Sequence, residues 1–149
     1  MSSQKLVLVT GATGSQGGSV VQALLERGHK VRGMTRNADS SAAHKLQQRG
    51  VEVVTGDFID HDSLVRAASD VDTIFTMTTP FERGVEVETA QGIAITNAAK
   101  EAGVGHLIYS SVANADKATG IPHFDSKYQV EQHIASSGVP YTIIAPVYF

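Results

Sequence analysis

Short, mostly apolar runs rich in β-branched residues recur along the chain at 5–10, 29–35, 51–55, 72–77, 106–111 and 141–145. Each predicts a strand. Between them, apolar residues return every three or four positions, the period of one side of a helix. Val20, Val21, Leu24 and Leu25 make such a face after the first run. Further helices are predicted at 40–48, from an Asp60 or Asp62 cap through 68, at 85–102 and at 125–136. Gly28, Gly50, Gly103 and Gly105 fall where helices should stop, and Gly138 with Pro140 breaks the chain before the last strand. In the 85–102 helix, Ala90, Ala94, Ala98 and Ala102 recur every four residues, a row of small side chains expected to pack closely on a sheet.

Six strands in regular alternation with five helices demand a parallel sheet, each helix returning the chain over one face by a right-handed crossover. The turn after the first strand narrows the topology. Val7-Leu8-Val9-Thr10 runs into Gly11-Ala12-Thr13-Gly14-Ser15-Gln16-Gly17-Gly18 and then into the first helix. A strand, a glycine turn and a helix in that order form a phosphate-binding βα unit. Gly11 permits the tight turn, Gly14 lets a pyrophosphate approach the backbone, and Gly17 lets the helix pack close to the strand. The first N–H groups of that helix have no helical partner and sit at the positive end of its dipole, which stabilises an anion by about 0.3–1 kcal/mol. No lysine follows the glycines, which disfavours a nucleoside-triphosphate loop. Gly11, Thr13, Gly14, Ser15, Gln16 and Gly17 are therefore the candidate contacts to a dinucleotide. The expected fold is an α/β, Rossmann-type doubly wound sheet with strand order 3-2-1-4-5-6 and its ligand at the carboxyl ends of the strands.

Residues with useful chemistry follow each strand. Arg36 lies 19 positions beyond Gly17, where an NAD site places an acid for the ribose 2′-hydroxyl. An arginine there suits a 2′-phosphate, with Arg32 in the same strand; otherwise Arg36 is a solvated surface residue. Asp57 and Phe58 follow the third strand, either accepting from and packing near an adenine or forming a turn through a local Asp-to-backbone bond. Thr76, Met77 and Thr78 stand at the end of the fourth, where they line the ribose and phosphate side or simply form loop. Ser111 ends the fifth.

Composition mainly excludes. At 149 residues, 42% apolar, the chain suits a single domain, 1–149, with a real core. A net charge of −3 leaves no basic footprint for nucleic acid. Cysteine is absent, which removes disulfides and thiolate metal sites and fits a cytoplasmic protein. No apolar run approaches the roughly 20 residues that span a bilayer, and no signal peptide is expected before the first strand. His29, His44, His61, His106 and His133 show no paired ligand spacing, and Asp60-His61-Asp62 reads as a helix cap before it reads as a metal site.

The glycine stretch, Thr35-Arg36-Asn37, Gly56-Asp57 and His123-Phe124-Asp125-Ser126-Lys127 together resemble the NmrA-like branch of the atypical short-chain dehydrogenases, along the whole chain. The resemblance implies a Rossmann fold binding NAD(P), often with NADP preferred, and either an NAD(P)H-dependent reductase of quinones or dyes or a non-catalytic sensor that binds regulatory proteins. Short-chain dehydrogenases carry a serine and a Tyr-x-x-x-Lys. Ser111 matches the serine and Lys127 the lysine, but His123 stands at the tyrosine position. Tyr109 and Tyr128 have no lysine four residues later. NmrA-like proteins share this loss, so the ordinary dehydrogenase mechanism does not carry over. Lys127 can still bond the nicotinamide ribose. His123, with an unperturbed pKa near ~6.5, is either a proton donor or a polar residue at a helix start. The resemblance also implies a further, similarly sized part that closes over the nicotinamide, and the chain ends at Phe149 without it. The expectation is an NADP(H)-binding protein, with NAD weaker, passing hydride to a small acceptor such as a quinone. The alternative is a redox sensor with a regulatory partner.

Overall fold

In a computed structural model, which describes residues 4–13, 15–77, 85–110 and 122–144, the elements follow the expected alternation. They are β1 (Leu6–Thr10), α1 (Ser15–Glu26), β2 (Lys30–Thr35), α2 (Ser41–Gln48), β3 (Glu52–Thr55), α3 (His61–Ala68), β4 (Thr73–Met77), α4 (Val85–Ala102), β5 (His106–Ser110), α5 (Pro122–Ser137) and β6 (Tyr141–Ile144). The strands form one sheet in the order β3-β2-β1-β4-β5-β6, every neighbouring pair parallel. This is the Rossmann-type doubly wound topology, with the crevice between β1 and β4.

Why the strands read as apolar runs is visible in the register. Val53, Gly33, Val9, Phe75, Ile108 and Thr142 lie in one row across the sheet. From this row Val9 and Phe75 join Val21 of α1 and Leu46 of α2 in one buried cluster. Leu8, Ile74 and Leu107 are the neighbouring row and join Leu64 of α3, Ile95, Ala98 and Ala99 of α4, and Val130 and Ile134 of α5 in the other. Successive residues of β1 thus feed opposite layers, and Leu8 and Val9 are both fully buried. Complete burial of a Leu or Ile contributes about 1.5–3 kcal/mol. At the sheet's end, Tyr141 and Ile144 of β6 are 43% exposed each, as an edge strand allows.

Local signals account for the element ends. Asp60, rather than Asp62, caps α3: its carboxylate accepts from Ser63 N at 3.3 Å. Ser40 caps α2 from just outside it, accepting from Ala43 N at 3.1 Å. After α1, Gly28 takes φ +80° and His29 N reaches back to Leu24 O at 3.1 Å, closing the helix with a glycine in the left-handed region. Two expectations need correction. Helix α5 begins at Pro122 instead of 125, because proline is well suited to a first helical position whose N–H needs no partner. The alanine row of α4 is only partly an inner row: Ala98 is buried, Ala94 and Ala102 half-buried and Ala90 exposed. A step of four residues overshoots the 3.6-residue turn and drifts around the helix. The close approach is instead at Gly92, where a Cβ would lie 2.5 Å from Val130 Cγ1 of α5.

Candidate functional site

The carboxyl ends of β1 to β4 converge on the glycine turn. Gly11 follows β1 with φ +65°, a conformation that side chains rarely adopt. Ala12 then turns inward and is 1% exposed, while Thr13 remains exposed. Helix α1 starts at Ser15, so its first N–H groups, which no carbonyl of the helix can take, stand directly beyond the turn. A Cβ on Gly17 would lie 2.1 Å from Gly11 O and 3.2 Å from Ala12 Cα. Gly17 therefore seats the helix against the backbone of the turn itself, a closer requirement than packing on the strand. Gly14 and the side chains of Ser15 and Gln16 lie outside the described residues.

Beside the turn, Thr10 Oγ1 and Thr76 Oγ1 share a hydrogen bond of 2.8 Å, both residues fully buried. The bond ties the end of β1 to β4 across the point where the strand order reverses. Thr10 carried no expectation from sequence; a threonine at or next to the carboxyl end of each of two neighbouring strands was the available signal. Met77 ends β4 opposite Ser110, its side chain outside the described residues, as are Thr78 and Ser111.

The two arginines of the second strand part company. Arg32 donates from Nε to Glu52 Oε1 at 3.0 Å and from Nη1 to Ala67 O and Ser69 O, each at 2.8 Å. Its guanidinium fastens β2 to β3 and to the end of α3, so it is not at the site. Arg36, just past β2, is exposed, and no ion pair among the described residues uses it. Its neighbourhood is shaped by Asn37 N donating to Thr35 Oγ1 at 3.2 Å and Asp39 N donating to Asn37 Oδ1 at 3.0 Å.

The loop after β3 is latched by Ser63, a residue not singled out from sequence. Its hydroxyl accepts from Asp57 N at 3.0 Å and donates to Asp60 O at 2.7 Å. Asp57 Oδ1 accepts from Ile59 N at 3.1 Å, which is the turn bond anticipated for it. Phe58 packs against the cluster beneath α3 and α4, and Ile59 stands 83% exposed on the rim. His61 pairs with Glu101 of α4, and among the described residues no group of three His, Cys, Asp or Glu could hold a metal ion. Helix α5 carries positions 123 and 127 near its start, with both side chains outside the described residues.

The glycine turn, the start of α1 and a cation at the tip of β2 that makes no ion pair among the described residues lie along the carboxyl edge of the sheet, the edge on which this topology binds dinucleotides. Residues 3–149 match the family model described as the NmrA-like family. The chain belongs to the NmrA-like family. It is 34% identical over 152 residues to an NmrA-like family domain-containing oxidoreductase, himF, of Aspergillus japonicus, covering 96% of this chain and 45% of that protein. Among solved structures, a Citrobacter sp. triphenylmethane reductase complexed with NADP(H) superposes with a TM-score of 0.87 at 30% identity, covering 96% of this chain and 50% of that one. NmrA, a negative transcriptional regulator in complex with NADP, superposes with a TM-score of 0.82 at 26% identity over 95% of this chain and 45% of its own. This NmrA-like chain thus spans about half the length of the relatives it matches. No helix among its described residues is long and apolar enough to cross a membrane.

Proposed function

We propose that residues 1–149 are the NADP(H)-binding domain of an NmrA-like reductase of the cytoplasm that reduces a small planar acceptor such as a quinone or a dye. The observation that carries this is Arg36, an exposed cation at the tip of β2 beside a turn that only glycine can build. In this reading Gly11, Thr13, Gly14, Ser15, Gln16 and Gly17 hold the pyrophosphate and Arg36 the 2′-phosphate. Asp57 and Phe58 flank the adenine, and Met77 and Thr78 line the ribose and phosphate side; Thr76, expected with them, is fully buried and bonded to Thr10, so it braces the end of β4 and does not touch the ligand. Lys127 bonds the nicotinamide ribose, while Ser111 and His123 stand on the acceptor side, His123 as proton donor. Bound NADPH would supply the hydride. The Citrobacter neighbour, a triphenylmethane reductase complexed with NADP(H), supports the reading.

A second reading, a sensor of NADP state that binds a regulatory protein, is favoured by histidine at position 123 and by the likeness to the NmrA regulator. NADPH consumption with a panel of quinones and triphenylmethane dyes separates the two. Turnover supports the reductase; tight NADP binding without turnover by any acceptor would leave the sensor.

A further inference from the structure

Ala12 is held between two residues that have no side chain. Gly17 of α1 lies on one side, where a Cβ would meet Ala12 Cα at 3.2 Å. Gly33 of β2 lies on the other. A Cβ there would lie 3.0 Å from Ala12 Cβ and 3.3 Å from Val51 Cγ1, with Leu46 Cδ1 at an ordinary 3.7 Å. A glycine inside a buried strand weakens the sheet and usually marks a close approach of another piece of backbone. Here the approaching piece is the turn itself, and Ala12 is 1% exposed in the space that Gly33 leaves. Ala12 Cβ is the nearest of the three, so extra volume at position 33 presses first on the turn.

We infer that Gly33 is a positioning residue for the dinucleotide: it touches no part of the ligand but sets how deeply the 11–12 turn sits on the sheet. The turn's N–H groups and the start of α1 move with Ala12, because Gly17 locks the helix onto the same backbone. A side chain at 33 lifts this assembly and spoils its fit to the pyrophosphate. The inference rests on dinucleotide binding as proposed above.

The test is NADPH binding to the full chain, followed by nucleotide fluorescence, with thermal melting of each variant in parallel. Gly33→Ala should weaken NADPH about tenfold. Adding Ala12→Gly, which removes the atom met at 3.0 Å, should restore affinity to within about threefold of wild type. Gly105→Ala presses on Asp72 O, 3.2 Å from its Cβ, at the amino end of β4 and β5, the edge of the sheet away from the turn. It should lower the melting temperature and leave the affinity of the folded protein unchanged. Unaltered affinity in folded Gly33→Ala would overturn the inference. So would a loss that Ala12→Gly fails to reverse, or an equal loss in Gly105→Ala. If Gly33→Ala does not fold, Ala12→Ser presses on the same contact from the turn, and NADPH affinity must then fall several-fold for the inference to stand. A wild type that binds no NADPH would instead sink the dinucleotide reading, and this inference with it.

Discussion

Gly17 and Gly18 are adjacent and both helical, yet the structure demands opposite responses to alanine. A Cβ at 17 would lie 2.1 Å from Gly11 O and 2.7 Å from Gly11 C, both backbone atoms of the turn. Contacts below 3.0 Å are essentially never seen for a real Cβ, so α1 and the turn must separate by about 1 Å. No side-chain rotation relieves this overlap. Overpacking of this kind costs roughly 1–3 kcal/mol, which lowers the melting temperature of a chain this size by about 3–10 °C. The same separation pulls the helix end from the turn, so dinucleotide affinity should fall at least about tenfold. At Gly18 the nearest atom is Ala12 O at 3.8 Å, ordinary contact. Gly18→Ala should therefore gain about 0.5–1 kcal/mol from helix propensity and leave binding intact. Thermal melting and NADPH titration of the two variants read the contrast directly. Equal melting temperatures and equal affinities would refute the cradle geometry.

Arg36→Ala should remove a NADP-over-NAD preference of roughly ten- to a hundredfold, a preference that also shrinks as salt rises, as competitive titrations would show. Arg32→Ala should leave that preference alone and cost about 1.5–3 kcal/mol of stability in urea denaturation; a change in cofactor choice would contradict its structural assignment. Thr10→Val should cost about 1–3 kcal/mol by stranding the Thr76 hydroxyl, while Thr10→Val with Thr76→Val should cost less, and simple additivity would argue against the bond. His123→Phe should lower quinone turnover about 10²-fold with cofactor affinity unchanged, and full activity would retire the proton-donor role.

The architecture was legible because it is written in local signals. Apolar runs, helical faces and glycine stops repeat often enough that the parallel sheet follows, and the turn after β1 fixes its strand order. The α3 cap was narrowed to two aspartates. The choice between them depended on which carboxylate reaches Ser63 N, a matter of backbone angle rather than of residue type. The alanine row of α4 misled because regular spacing in sequence is not regular angle around a helix. Gly92 escaped notice because the side chain it admits, Val130, belongs to another helix.

The arginines show where legibility stops. Arg32 and Arg36 lie four residues apart, share a formal charge and stand in or just beyond one strand, so composition and spacing cannot rank them. What separates them is the end of α3, which brings Ala67 O and Ser69 O to 2.8 Å from the Arg32 guanidinium. Two carbonyls without that donor would need another partner, and Glu52 on β3 adds its carboxylate at 3.0 Å. Arg32 is thus claimed by acceptors that arrive only with tertiary structure. Arg36 lies beyond the last pair of β2 with β3, Thr35 with Thr55, where the sheet offers no further ladder partner. The division between an arginine taken up by the fold and one left exposed is therefore set by where β2 ends relative to α3. With Arg36 on the 2′-phosphate as proposed, cofactor preference is separable from stability at these two positions.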